Sequence, residues 1–251
     1  MRLRLLIPLA LTSILSMPAF AGDRVTESTK PNLKDSSQML LVTTKGWDDV
    51  NGVAQRYERV NGKWKKLGSR IGISVGRTGM AWGVGVYSFD AAGPIKKEGD
   101  GKSPAGVFLL TQLFSANESA QPHAHMPFIQ LTPTVECVDD PKSSAYNTLV
   151  DPKSPSERTW DSSEHMLRRD SIYDFGVFVA HNTPAKPGVG SCIFIHELDP
   201  FGEVYGTAGC TALPGEQLVR LFGWLDATKN PMLVQMPIRE YKTFKKALSL
   251  P

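Results

Sequence analysis

The stretch "VAQRYERVNGKWKKLG" runs two polar and apolar alternations toward each other across Asn61-Gly62. Both central residues tolerate the positive φ angles of a two-residue hairpin turn, so two antiparallel strands are expected to meet here. The rest of the chain reads in the same style. Gln38 to Thr44 ("QMLLVTT"), Val107 to Leu113, "MPFIQLTPTVECV", "FGVFVAHN", "SCIFIHEL" and "MLVQMP" are further strand candidates. With 22 glycines and 18 prolines, turns are expected to be frequent and long helices rare. Ser162 to Arg169 has the polar and apolar mix of a short helix. After Pro214, which suits a first helical turn, Leu218, Leu221, Phe222 and Leu225 recur at helical spacing until Asn230-Pro231 ends the pattern. The expectation is one mostly-β domain over residues 37–237 with a few short helices, preceded by a flexible polar leader (22–36) and followed by a short basic tail (238–251).

The first residues, "MRLRLLIPLALTSILSMPAFAG", place two arginines before an apolar run and end it on Ala19-Phe20-Ala21. That is the pattern of a secretory signal peptide over residues 1–21, and the run is shorter than the ~20 residues a membrane span needs. An exported protein of the periplasm or cell envelope, with no stable membrane anchor after cleavage, is expected. Loss of Arg2 and Arg4 takes the formal net charge from +3 to +1, which gives no electrostatic case for nucleic acid as a partner.

Three cysteines, Cys137, Cys192 and Cys210, are an odd number for an oxidising compartment. If two pair, one remains a free thiol. Cys210 is the candidate to stay free, and Cys137–Cys192 is then the available bridge; three unpaired thiols is the other reading. Cys210 follows small Ala208 and Gly209, fourteen positions after His196, which ends the apolar run Cys192 to Ile195. A thiol beside an imidazole can act as a nucleophile, and a glycine before it lets successive N–H groups turn toward a developing oxyanion. The same two residues could be ordinary packing. A metal pair would need further ligands, and none stands at zinc-like spacing.

His196 followed by Thr207-Ala208-Gly209-Cys210 resembles the signature of the L,D-transpeptidase family (the YkuD-type catalytic domain), a His and then Ser/Thr-x-Gly-Cys. A second family element, Thr/Ser-Pro-x-Gly-x-Phe, is matched upstream by Ser103-Pro104-Ala105-Gly106-Val107-Phe108. The resemblance implies a β-sandwich or barrel-like catalytic fold from about Leu40 to Pro237. It implies Cys210 as nucleophile, His196 as proton acceptor and donor, amides near Gly209 and Cys210 for the oxyanion, and Thr207 shaping the turn or touching substrate. By the same resemblance the substrate is a peptidoglycan stem tetrapeptide, its acyl group passes to an amine acceptor, and no metal or organic cofactor is needed. Ala208 and Ala212 stand where many members carry polar groups, so the acceptor is open. Hydrolysis of stem peptides or of links between protein and wall, as by a carboxypeptidase or amidase, is the second reading. A non-catalytic wall-binding protein is the third.

Other residues offer themselves with less pattern. His181 and Asn182, at the end of a strand and before a Pro/Gly loop, could bind the stem peptide or orient His196, or simply form a surface loop. Arg168 could pair with a stem carboxylate through its planar fork or sit in a structural salt bridge. His123 and His125 read as an exposed loop. Glu197 and Asp199 could orient the His196 ring, as could a backbone carbonyl.

Overall fold

The computed structural model describes residues 24–123, 125–198 and 206–251. The expected signal peptide and Asp199 lie outside the described residues. In chain order the strands are β1 (Arg24–Glu27), β2 (Gln38–Thr44), β3 (Asn51–Val60), β4 (Lys63–Ser74), β5 (Met80–Trp82), β6 (Tyr87–Asp90) and β7 (Ser103–Ser115). They continue with β8 (Phe128–Gln130), β9 (Glu136–Val138), β10 (Leu149–Val150), β11 (Ser163–His165), β12 (Phe175–Val179), β13 (Phe194–Glu197), β14 (Thr211–Leu213) and β15 (Met232–Pro237). Among the described residues, two α-helices, α1 (Gly215–Trp224) and α2 (Ile238–Phe244), complete the regular structure with short 3-10 turns. The protein is mostly β, as its turn-rich sequence suggests.

Asn61 and Gly62 hold φ of 50° and 75°, the turn their residue types favour, and they set the register Val60↔Lys63 through β3 and β4. From this hairpin the main sheet runs β12-β13-β14-β4-β3-β2-β15-β7, and β12 pairs again with β7. That last pairing closes the sheet into a barrel, which removes the exposed edges an open sheet would present. The ladder is uneven: β14 meets β4 at a single strand-paired position, Ala212↔Ser74. At the barrel's centre β2 and β15 are parallel, and six residues of each strand are buried, which explains why both read as near-continuous apolar runs. Their side chains join those of β7 and α1 in the larger hydrophobic cluster.

A smaller cluster lies beside the barrel. Phe114, Phe178 and Phe194 pack there against Val135, Cys137, Met166, Tyr173, Cys192 and Cys210. The three-stranded sheet β10-β9-β11 covers it. Cys137 of β9 is joined to Cys192 by a disulfide, with Cα atoms 6.0 Å apart, and Cys210 is the free cysteine.

Three local expectations differ from the structure. The segment expected as a helix, Ser162 to Arg169, contains β11, because Ser163, Glu164 and His165 pair with β9 and the Ser163 hydroxyl donates to Glu136. Part of the expected leader forms β1 on β6, and Leu33 is fully buried under a hydrogen bond from its N–H to the Tyr87 hydroxyl. The expected tail begins with α2, and Phe244, Leu248 and Leu250 are buried. In each case apolar or pairing contacts with distant residues outweigh weak local composition.

Candidate active site

β13 and β14 lie side by side and parallel, with His196 opposite Ala212. Strand side chains alternate, so Phe194 and His196 share a face with Cys210 and Ala212. Ile195 and Leu213 point the other way, into the larger cluster. Cys210 stands one residue before β14, diagonal to His196. Backbones of such diagonal neighbours are about 7–8 Å apart, a span that two side chains can close. A cavity of about 620 Å³ is lined by both residues together with Thr207, Ala208, Gly209, Cys192 and Tyr173.

The turn carrying Cys210 is held by hydroxyls. Thr207 Oγ1 donates to the Cys210 carbonyl at 2.6 Å and accepts from the Gly209 N–H at 3.1 Å. Ser103 Oγ donates to the same carbonyl at 2.7 Å and accepts from the Gly76 N–H. The two sequence elements, Ser103 to Phe108 and Thr207 to Cys210, therefore meet at one oxygen. Gly209 has φ of 153°, where a side chain would be strained, and its amide is committed to Thr207. The Cys210 amide is the other candidate donor to an oxyanion.

The sulfur is 3.3 Å from the Phe194 N–H, and its own S–H is directed at the Cys192 carbonyl, 3.8 Å away. Cys210 is only 7% exposed. Burial pushes its thiol up to about 12, and the nearby Glu164 carboxylate pushes the same way. His196, also 7% exposed, is pushed by burial down to about 4. At neutral pH the pair is a thiol beside a neutral imidazole. His196 Nδ1 is 2.7 Å from the Glu197 carbonyl. A carbonyl only accepts, so Nδ1 carries the proton and Nε2 keeps its lone pair for a thiol proton. The orienting group is thus the Glu197 backbone; the Glu197 carboxylate lies instead against Gly215 at the start of α1.

His181 and Asn182, considered as substrate contacts, are buried and turned inward. His181 Nδ1 accepts from the Val84 N–H and Nε2 donates to the Val189 carbonyl. The Asn182 amide bonds Lys186 and Gly190 of the following loop. Asn147 donates to the carbonyls of both and accepts from the Cys192 N–H, so these residues brace the segment leading to Cys192. Arg168 does line the cavity, but its guanidinium is paired with Asp170 and lies 3.8 Å from Glu164. Sequence reasoning missed four further charged residues of the cavity, Arg77, Lys96, Glu98 and Asp139. They come from three separate segments with no shared spacing. Among the described residues no three His, Cys, Asp or Glu side chains converge to hold a metal ion, and no helix is long and apolar enough to cross a membrane.

None of the curated proteins matches the chain. Among solved structures, the helical cell shape determining protein Pgp2 from Campylobacter jejuni is similar at 17% identity and a TM-score of 0.36, over 80% of this chain and 48% of that one. A point mutant of the same protein is similar at 18% identity and the same TM-score, over 80% of this chain and 47% of its own. The chain thus spans about half the length of those chains. The model of the L,D-transpeptidase catalytic domain, YkuD, matches residues 49–236, a span that includes both sequence elements and the whole cavity turn. The chain belongs to the L,D-transpeptidase (YkuD) catalytic-domain family.

Proposed function

We propose that this protein is an exported cysteine acyltransferase that acts on peptidoglycan stem peptides, with Cys210 as nucleophile and His196 as base. The observation that supports this most directly is that a thiol and an imidazole line one cavity from the same face of adjacent strands, with the imidazole tautomer keeping the Nε2 lone pair. As Sγ attacks a peptide carbonyl, His196 Nε2 takes the thiol proton. The Sγ–C bond forms, and negative charge gathers on the carbonyl oxygen beside the Cys210 amide. The C–N bond then breaks and His196 returns the proton to the departing amine. A stem-peptide amine next attacks the thioester, gives its proton to His196 and frees the sulfur.

Alanine at positions 208 and 212 leaves the cavity floor without polar side chains there, which favours keeping water as a second acceptor. Incubation with purified muropeptides and mass analysis separates the two. Cross-linked dimers identify transfer, and shortened monomers alone identify hydrolysis. Cys210→Ala is expected to abolish either product while keeping the thermal melt of the parent. Undiminished product from that folded variant would overturn the assignment.

A further inference from the structure

His196 is oriented by one hydrogen bond, which fixes the direction of Nδ1 but not the plane of the ring. The second constraint comes from Tyr173, whose ring meets the imidazole edge-on at a centroid distance of 5.4 Å and an interplanar angle of 66°. Tyr173 is itself immobilised from every side. It is 5% exposed and packs edge-on against Phe114 at 5.8 Å and Phe194 at 5.6 Å. The Arg168 guanidinium lies over its ring at 5.3 Å, and its hydroxyl donates to Glu164 Oε1 at 2.7 Å. Glu164 comes from β11, the strand that pairs with β9, so the satellite sheet supplies the hydroxyl's partner while barrel strands β7 and β13 supply Phe114 and Phe194.

We propose that Tyr173 is a positioning residue whose ring, packed edge-on, holds the His196 imidazole in the plane from which Nε2 faces the Cys210 sulfur. This rests on the reading of Cys210 and His196 as nucleophile and base. Tyr173 itself transfers no proton: burial first, helped by the Glu164 carboxylate, raises its phenol far above the usual range, so it stays protonated. Edge-on aromatic contacts of this kind shift equilibria by up to about tenfold.

The test reads sulfur reactivity without any peptidoglycan substrate. Alkylation of Cys210 by iodoacetamide is followed by intact-protein mass in the full chain and in His196→Ala, Tyr173→Leu and Tyr173→Phe. Tyr173→Leu is expected to slow alkylation about tenfold at pH 7, and Tyr173→Phe, which keeps the ring, to restore it to within about threefold of the parent. Tyr173→Met replaces the leucine variant if the latter does not fold. If His196→Ala slows alkylation but a folded Leu or Met variant reacts at the parental rate, the positioning role is wrong. If Phe slows it as much as Leu, the ring is not the operative group and the role is equally wrong. An unchanged rate in His196→Ala instead overturns the nucleophile and base reading.

Discussion

Replacing both bridged cysteines, Cys137→Ala with Cys192→Ala, removes the tie between β9 and the segment that leads into β13. The bridge spans 55 residues. Closing a loop of that length in the unfolded chain costs about 14 cal/mol/K of entropy, so the bridge contributes about 4 kcal/mol at 25 °C. Both sites are buried, so the missing sulfur atoms add a packing loss of the same sign. Urea unfolding followed by tryptophan fluorescence measures the difference, with the parent kept oxidised throughout. With a slope of about 2–3 kcal/mol per molar urea for a chain of this size, the midpoint should fall by about 1.5–2 M. A loss below about 1 kcal/mol would refute the reasoning, because the bridge would then not be restricting the unfolded chain as its loop length requires. The same variant leaves Cys210 as the sole cysteine, so its thiol can be counted directly.

A methyl group at Gly176, which pairs with His196, would lie 2.0 Å from the Phe114 ring that braces Tyr173 and Phe194. Gly176→Ala should therefore cost about 2–3 kcal/mol, read as a lower melting temperature than the parent. Stability should also fall in mild acid. His181 and His196 are both pushed by burial down to about 4, whereas an unfolded histidine titrates near 6.5. Between those values the unfolded chain binds more protons, so stability rises with pH there and is lost as pH falls. Each histidine should remove about 2 kcal/mol between pH 7 and pH 5, measured by urea unfolding at both.

Much of the barrel was legible because its signals are local. Asn61-Gly62 favours the positive φ angles of a tight turn, and the apolar runs of β2 and β15 need burial on both faces. His196 and Cys210 stood out through their resemblance to a family signature, because their spacing taken alone reads equally well as packing. The same local logic failed at Ser163 to His165, where pairing with β9 decides the backbone. It also failed at His181 and Asn182, polar residues at a strand end that spend every side-chain polar atom inside the fold. Tyr173 and Glu164 were visible as residue types, but nine positions of sequence say nothing about which ring meets His196. That contact follows from the pairing of β12 with β13, which sets Tyr173 beside His196, and only the Glu164 bond to its hydroxyl comes from the satellite sheet.

The way β14 is fastened has a consequence for how the nucleophile meets an incoming carbonyl. A stave fastened on both sides can shift only by breaking several bonds at once. This one meets β4 at Ala212 and Ser74 alone, but it pairs with β13 at three positions. The turn before it is tied by the Thr207 N–H to the Val75 carbonyl, the Arg77 N–H to the Thr207 carbonyl and the Ser103 hydroxyl to the Cys210 carbonyl. The sulfur therefore rides on backbone that stays put, and the arriving chain must fit itself to it.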